Sequence, residues 1–192
     1  MDHDLSVTTG SADGQHSQGS LPEYCELLIR GLGEAGVSLV TAVPESLLRS
    51  AYAALAETPD IRYVRVANEA EMPGICAGAY LGGTRAVMMM ENSGLRQACE
   101  PLTRLAWAHR LPMVLLMAHR GDFGERNWWG HNHAQTMGPI LDALRFPYWH
   151  VRTLDEIRPS LRKAWDHADS SQWPVALVFE GECVEGAPVA AR

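Results

Sequence analysis

Hydrophobic and polar positions along the chain alternate between two kinds of segment. Short apolar runs, several of them stopped by proline or by a cluster of polar residues, are typical of buried β-strands. Between them lie stretches whose apolar residues recur every three or four positions, the pattern of a helix with one buried face. We predict strands at residues 37–43, 61–66, 85–90, 112–118, 148–151 and 175–179. We predict helices at residues 21–35, 45–57, 68–80, 94–109, 139–144 and 155–168.

Strands that alternate with helices indicate βαβ units and therefore a mainly parallel sheet covered on both faces. The fold class that we expect is α/β, a three-layer α/β/α sandwich. We divide the chain into a disordered N-terminal tail at 1–20, a single domain at 21–182 and a C-terminal tail at 183–192. Residues 1–20 have neither a basic start nor an apolar stretch, so we do not interpret them as a secretory signal.

Composition narrows the classes of function. With 46% hydrophobic and 20% charged residues, the chain of 192 residues has the composition of a soluble globular domain, and it has no apolar run of the length that a membrane-spanning helix needs. A formal net charge of -7, with scattered arginines, argues against a nucleic-acid partner. The four cysteines form no C-x-x-C pair, so we expect reduced thiols in a cytoplasmic protein.

Ligands of parallel α/β sheets gather at the carboxyl ends of the strands. This rule selects four loops, at residues 44–46, 67–71, 91–97 and 119–135. In the second loop, Glu69 and Glu71 open a helix, where the helix dipole stabilises a carboxylate. From the residues alone, ordinary dipole complementation is the preferred explanation and a catalytic role is the alternative. In the third loop, small and amide side chains suit a ligand that approaches the backbone, but Ser93 could equally cap a plain turn.

The fourth loop is the longest segment for which we predict no secondary structure. Loops of this length are usually functional or disordered, and the adjacent Trp128 and Trp129 argue against disorder, so we interpret the loop as a candidate lid. Its His131 and His133 could act as general acids, substrate anchors or metal ligands. An H-x-H pair without a third ligand does not define a metal site, and we expect none.

The order of these pieces resembles the pyrimidine-binding domain of thiamine diphosphate-dependent decarboxylases, and within them the sulfopyruvate decarboxylase alpha subunits and the N-terminal half of phosphonopyruvate decarboxylase. The resemblance covers about residues 21–180 of the chain. Several motifs in one order carry it: VPESLL at 43–48, ANEAE at 67–71 leading into GICAGAY at 74–80, NSGL at 92–95 with EPLT at 100–103, and Arg120-Gly121.

The resemblance implies that a glutamate hydrogen-bonds the aminopyrimidine ring of thiamine diphosphate. By its spacing to the glycine-rich helix that glutamate falls on Glu69, with Glu71 as the alternative register. Ser93 and Gly94 match the loop beside the pyrimidine. Roles over the reacting centre are implied for His131 and His133 as catalytic residues, and substrate contacts are implied for Ser46, Arg96, Arg120 and Gln135.

The related enzymes hold the diphosphate and Mg²⁺ on another domain, which carries a G-D-G motif that this sequence lacks. The resemblance therefore implies a beta subunit with that domain, in an α2β2 or larger assembly. The implied function is that of the alpha subunit of a 2-oxo acid decarboxylase acting on a small acidic 2-oxo acid. A carboligase or acyl transferase subunit, a non-catalytic regulatory subunit and an unrelated flavodoxin-like domain remain alternatives.

Overall fold

The computed structural model describes residues 21–185, so the tail predicted at 1–20 and the last part, 186–192, of the tail predicted at 183–192 lie outside the described residues. The helices are α1 (Glu23–Glu34), α2 (Arg49–Ala56), α3 (Met72–Leu81), α4 (Leu95–Pro101), α5 (His131–Ala143) and α6 (Leu154–Ser171). The strands are β1 (Val37–Ala42), β2 (Arg62–Arg65), β3 (Arg85–Glu91), β4 (Val114–Ala118), β5 (Tyr148–Val151) and β6 (Val175–Phe179).

The strands form one parallel sheet in the order β2-β1-β3-β4-β6-β5. Alternate residues of β3 point into two separate hydrophobic cores: Met89 packs with α1, α2 and α6, whereas Met88 and Met90 pack with α3, α4 and α5. Because both faces of the sheet are covered, β4 and β6 are apolar throughout, and β3 is apolar between its two end residues. The predicted three-layer α/β/α sandwich is confirmed.

Two predicted helices differ from the structure at their ends. The helix predicted at 45–57 begins only at Arg49, because the Glu45 carboxylate accepts hydrogen bonds from the backbone N–H groups of Leu47 (2.5 Å) and Leu48 (2.8 Å) and holds them in a turn. The helix predicted at 94–109 changes after Pro101 to a π-helix at Leu102–Trp107. Proline has no N–H and cannot make the regular backbone bond, a common reason for irregularity inside a helix.

The prediction that residues 119–135 form one loop is wrong for its last part. Helix α5 begins at His131, well before the helix predicted at 139–144, so His131, His133 and Gln135 lie on its first turns. Proline is common in the first turn of a helix, which would suit a start at Pro139. The structure instead accommodates Pro139 inside α5.

The last described residues pack against the domain. Cys183 is buried, and the backbone N–H of Glu185 donates to the carbonyl of Leu47 at 2.7 Å. Residues 183–185 of the predicted C-terminal tail are thus bound to the loop that follows β1. Within residues 21–185, no helix combines the length and apolar character needed to cross a bilayer.

Candidate active site

The loops after β1, β3 and β4 meet because these strands are neighbours in the sheet. They carry Ser46, Ser93 and Arg120, which were selected from the sequence. The turn after β2, which holds Glu69, reaches the same edge and contacts the loop after β3. This edge of the sheet is the candidate active site.

Glu69 lies at the start of a short 3-10 turn, Glu69–Glu71, that leads into α3. Asn68 caps the turn, since its side-chain oxygen accepts from the N–H of Ala70 at 2.8 Å. The Glu69 side chain is half-buried against Gly94: a Cβ at Gly94 would lie 2.6 Å from Cγ and Oε1 of Glu69. Glu71 is exposed, so Glu69 is the carboxylate that faces the loop after β3.

Glu91, the last residue of β3, connects the predicted site residues. Its Oε2 accepts from Nε of Arg120 at 3.0 Å, and its Oε1 accepts from the hydroxyl of Ser93 at 2.8 Å. Nη2 of Arg120 in turn donates to the hydroxyl of Ser46 at 3.1 Å. The side chains of Glu91 and Arg120 are each 13% exposed, so solvent screens this ion pair less than it would screen a surface pair.

Arg120 is fixed at its backbone and at its guanidinium. The buried Asn92 side chain accepts from the Arg120 N–H (3.2 Å) and donates to its carbonyl (2.9 Å). Glu125 Oε2 lies 3.5 Å from Nη1, and the guanidinium stands 5.0 Å from the centroid of the Trp129 ring. The loop after β4 therefore folds back over Arg120 and holds it between two carboxylates and an aromatic face.

His133 is the histidine of the predicted pair that the structure brings to this cluster. It is 7% exposed, and its Nδ1 lies 3.1 Å from Oε1 of Glu91, although the angles do not make a hydrogen bond. Burial lowers the pKa of His133, and the Glu91 charge opposes that shift only in part. The site therefore favours the neutral imidazole.

Three other predicted residues are not brought to the cluster. His131 and Gln135 are exposed on α5. Arg96 is exposed on α4 and donates to the hydroxyl of Thr136 on α5 at 3.0 Å. These residues lie around the start of α5, beside the cluster that Glu91 organises.

A second polar cluster lies at the carboxyl ends of β4, β5 and β6. Glu180 Oε1 lies 3.1 Å from Nδ1 of His150 and 2.5 Å from Nε of Arg152. Donor atoms of His119, Asp122 and Glu180 lie within 4.8 Å of one another. Burial lowers the pKa of His119, while Glu180 acts in the opposite direction.

Sequence reasoning missed the organising role of Glu91, Asn92, Glu125 and Trp129. A signal for Glu91 was available: it is a carboxylate at the end of a strand whose preceding residues are all apolar apart from Arg85. A buried carboxylate requires a partner, and its position indicates the functional edge of the sheet. The contacts of Glu125 and Trp129 depend on how their loop folds, which no local pattern indicates.

Comparison with known proteins gives homologues over most of the chain, although no family model matches it. The chain is 29% identical over 155 residues to the sulfopyruvate decarboxylase alpha subunit of Methanococcus maripaludis, covering 81% of this chain and 93% of that subunit. It is 27% identical over 163 residues to the sulfopyruvate decarboxylase alpha subunit of Methanocaldococcus jannaschii, and the match covers 85% of this chain and 94% of that subunit.

A second group of relatives is much longer than this chain. The chain is 35% identical over 116 residues to phosphonopyruvate decarboxylase of Streptomyces viridochromogenes, covering 60% of this chain and 29% of that enzyme. This chain therefore matches nearly the whole length of the alpha subunits but only a part of the longer phosphonopyruvate decarboxylase. This chain is a homologue of the sulfopyruvate decarboxylase alpha subunits and of phosphonopyruvate decarboxylase, the relationship that its motifs predict.

Proposed function

We propose that this chain is the alpha subunit of a two-chain, thiamine diphosphate-dependent 2-oxo acid decarboxylase and supplies Glu69 to activate the cofactor. The names of its relatives support a decarboxylase subunit. The observation that carries the rest is the position of Glu69, half-buried against the backbone of Gly94 at the carboxyl edge of the sheet.

The residues at this edge fit the proposed cofactor. Gly94 has no Cβ, so the half-buried Glu69 carboxylate packs directly against the loop after β3, where it would meet a planar ring at the carboxyl edge of the sheet. Glu69, Ser93 and Gly94 are the residues that would hold the aminopyrimidine. When bound, thiamine diphosphate supplies a carbon nucleophile and an electron sink for the loss of CO₂. Glu69 would hold or release the proton at the pyrimidine nitrogen.

The cluster around Glu91 would serve the substrate. Ser46 and the remaining Nη N–H groups of Arg120 would present donors to a 2-oxo acid carboxylate. His133, neutral and beside Glu91, would move a proton at its Nδ1. The proposed roles of His131, Arg96 and Gln135 rest on the family resemblance and on their place around the start of α5.

The partner in this proposal is a beta subunit that holds the diphosphate and Mg²⁺, in a cytoplasmic α2β2 or larger assembly. The word "alpha" in the names of the relatives supports a two-subunit enzyme. Phe123 and Trp128, in the loop that covers Arg120, are 106% and 84% exposed. Such aromatic surface beside a site suits coverage by another subunit.

The test is reconstitution with the product of a neighbouring reading frame that carries a G-D-G motif. We expect CO₂ release from a 2-oxo acid only when thiamine diphosphate, Mg²⁺ and both chains are present. Glu69→Gln should lower kcat by about 10²–10⁴-fold, the usual effect of losing a positioned proton-transfer group. Glu71→Gln is the matched control, since Glu71 is exposed two residues away, and it should remain within a few fold of wild type.

The same assay separates the alternatives. Aldehyde release at the rate of CO₂ release supports a decarboxylase, whereas a coupled product formed with an added acceptor aldehyde supports a carboligase. Turnover of Glu69→Gln close to that of wild type would remove the catalytic role and favour a regulatory subunit.

A further inference from the structure

The charge balance around Arg120 bears on the class of substrate, and the inference rests on the function proposed above. All three nitrogens of the guanidinium face protein groups: Nε faces Glu91 at 3.0 Å, Nη1 faces Glu125 at 3.5 Å and Nη2 faces Ser46 at 3.1 Å. The guanidinium carbon also lies over the face of the Trp129 ring, 5.0 Å from its centroid. Arg120 therefore has few donors left for an anionic side chain of a substrate.

The groups around Arg120 carry more negative than positive charge. The side chains of Glu91 and Glu125 are 13% and 10% exposed. The backbone N–H of Asn127 lowers the pKa of Glu125, so this carboxylate is ionised at neutral pH. Glu45 lies within the field of Arg120 and Glu91, and its partial burial, followed by the Glu91 charge, raises its pKa.

Among residues 21–185, the groups within ion-pair distance of Glu91 or Glu125 are Arg120 and the imidazole of His133. Burial lowers the pKa of His133, so this residue is mostly uncharged at neutral pH. Arg96 is exposed on α4 and hydrogen-bonded to Thr136, and its charge lowers the pKa of His133 further. Arg126, in the loop after β4, is also exposed.

We propose that the substrate is a 2-oxo acid whose side chain is uncharged, so that its 2-oxo carboxylate is its one anionic group. A sulfonate or phosphonate would add negative charge beside Glu91 and Glu125, and Arg120 is already neutralised by them. The family resemblance implies a small acidic 2-oxo acid, and this proposal narrows that class to acids whose 2-oxo carboxylate is their one acidic group. It also separates this chain from the substrates that the names of its relatives state.

The first experiment compares kcat/KM for 2-oxo acids of similar size on the reconstituted complex. The uncharged members are 2-oxobutyrate, 4-methyl-2-oxopentanoate and phenylpyruvate, and the charged ones are sulfopyruvate and phosphonopyruvate. We expect at least one uncharged acid to exceed both charged acids by about tenfold or more. A higher kcat/KM for sulfopyruvate or phosphonopyruvate would overturn the inference. Failure of every 2-oxo acid would count against the proposed function.

The second experiment needs no turnover and therefore tests the substrate class separately. Tryptophan fluorescence of the complex, with Trp129 against Arg120 as the reporter, is titrated with butyrate and with sulfoacetate. We expect tighter binding of butyrate. Glu125→Gln keeps an acceptor for Asn127 but removes a charge, and it should improve sulfoacetate binding by about tenfold. The control is Glu57→Gln at the exposed residue that follows the last residue of α2, and it should change neither affinity.

Two results would contradict the inference in this assay. One is tighter binding of sulfoacetate than of butyrate by the wild-type complex. The other is an unchanged ratio of the two affinities in Glu125→Gln, because the carboxylate would then not be what excludes the second anion.

Discussion

The side chain of Glu69 rests on the backbone of Gly94, which belongs to the loop after a different strand. A Cβ at Gly94 would lie 2.6 Å from both Cγ and Oε1 of Glu69 and 2.8 Å from its Cδ. Real Cβ atoms do not approach other atoms so closely, so the absence of a side chain at position 94 sets where the carboxylate can lie. The sequence motif NSGL thus has a geometric relation to ANEAE, which begins 25 residues earlier.

Gly94→Ala should therefore displace the Glu69 carboxylate. We expect a loss of kcat of about 10²-fold or more in the reconstituted complex, similar to that of a misplaced catalytic group. Gly78→Ala is the matched control, because nothing lies within 4 Å of a Cβ at this position of α3. It should leave the far-UV circular dichroism and the activity close to wild type. Equal activity of both variants would show that the contact with Glu69 has no role in turnover.

The sheet and the edge that holds the site could be predicted from the sequence. Most strands are short apolar runs with clear ends, as at Pro44 after β1, and the carboxyl-end rule then selects loops that the structure brings together at one edge of the sheet. Glu69 and Arg120 were selected in this way, with the family motifs deciding between Glu69 and Glu71.

The contacts inside the site could not be predicted because they depend on the path of the loop after β4. Gly121 has a φ of 100°, and a Cβ there would lie 2.2 Å from the carbonyl oxygen of Gly130, so this glycine permits the loop to close on itself. That closure brings Glu125 and Trp129 onto Arg120. A count of charges along the sequence contains no information about such a pairing.

Glu185 should position the loop that carries Ser46. Its N–H donates to the Leu47 carbonyl at 2.7 Å, and its Oε1 accepts from the Ser50 N–H at 2.8 Å and from the Tyr24 hydroxyl at 3.0 Å. Glu185→Ala removes the two side-chain bonds, and we expect KM for the 2-oxo acid to rise about three- to tenfold with little change in kcat.

Two measurements check that role of Glu185. Steady-state kinetics of the reconstituted complex give the split between KM and kcat, and Glu185→Gln, which keeps an acceptor oxygen, should restore most of the affinity. A fall in kcat at unchanged KM, or no rescue by glutamine, would contradict a positioning role.

Stability should fall on mild acidification, and His119 should contribute to the loss. Burial holds the pKa of His119 below its ordinary value of 6.5, although Glu180 opposes this shift. The unfolded chain therefore binds a proton at a higher pH than the folded chain does. The resulting stability is present above about pH 6.5 and is lost as the pH falls through the folded-state pKa.

Thermal unfolding of the chain at pH 7.5, 6.5 and 5.5 tests this dependence. His119→Gln has no titrating group at this position, so its Tm should decrease less between pH 7.5 and 5.5 than that of wild type. The comparison of slopes is the relevant quantity, because the substitution can also change Tm at every pH. A variant with an equal or steeper decrease would assign the acid sensitivity to other groups, such as His133.

Close packing of α1 on α6 predicts opposite effects for two glycines of one helix. A Cβ at Gly31 would lie 2.7 Å from Cδ1 of Leu161 and 3.3 Å from the Cα of Arg158 on α6. Leu161 is fully buried and has little room to move, so Gly31→Ala should lower the free energy of unfolding by about 1–3 kcal/mol, the usual cost of overpacking. Nothing lies within 4 Å of a Cβ at Gly33, and Gly33→Ala should raise the free energy of unfolding by about 0.5–1 kcal/mol through helix propensity.

Urea denaturation of both variants gives the two values, with an unchanged m-value as the check that unfolding remains two-state. Because both substitutions add one methyl group to α1, helix propensity alone would make their effects equal. Stabilisation of both variants would therefore mean that α1 and α6 are further apart than this packing requires.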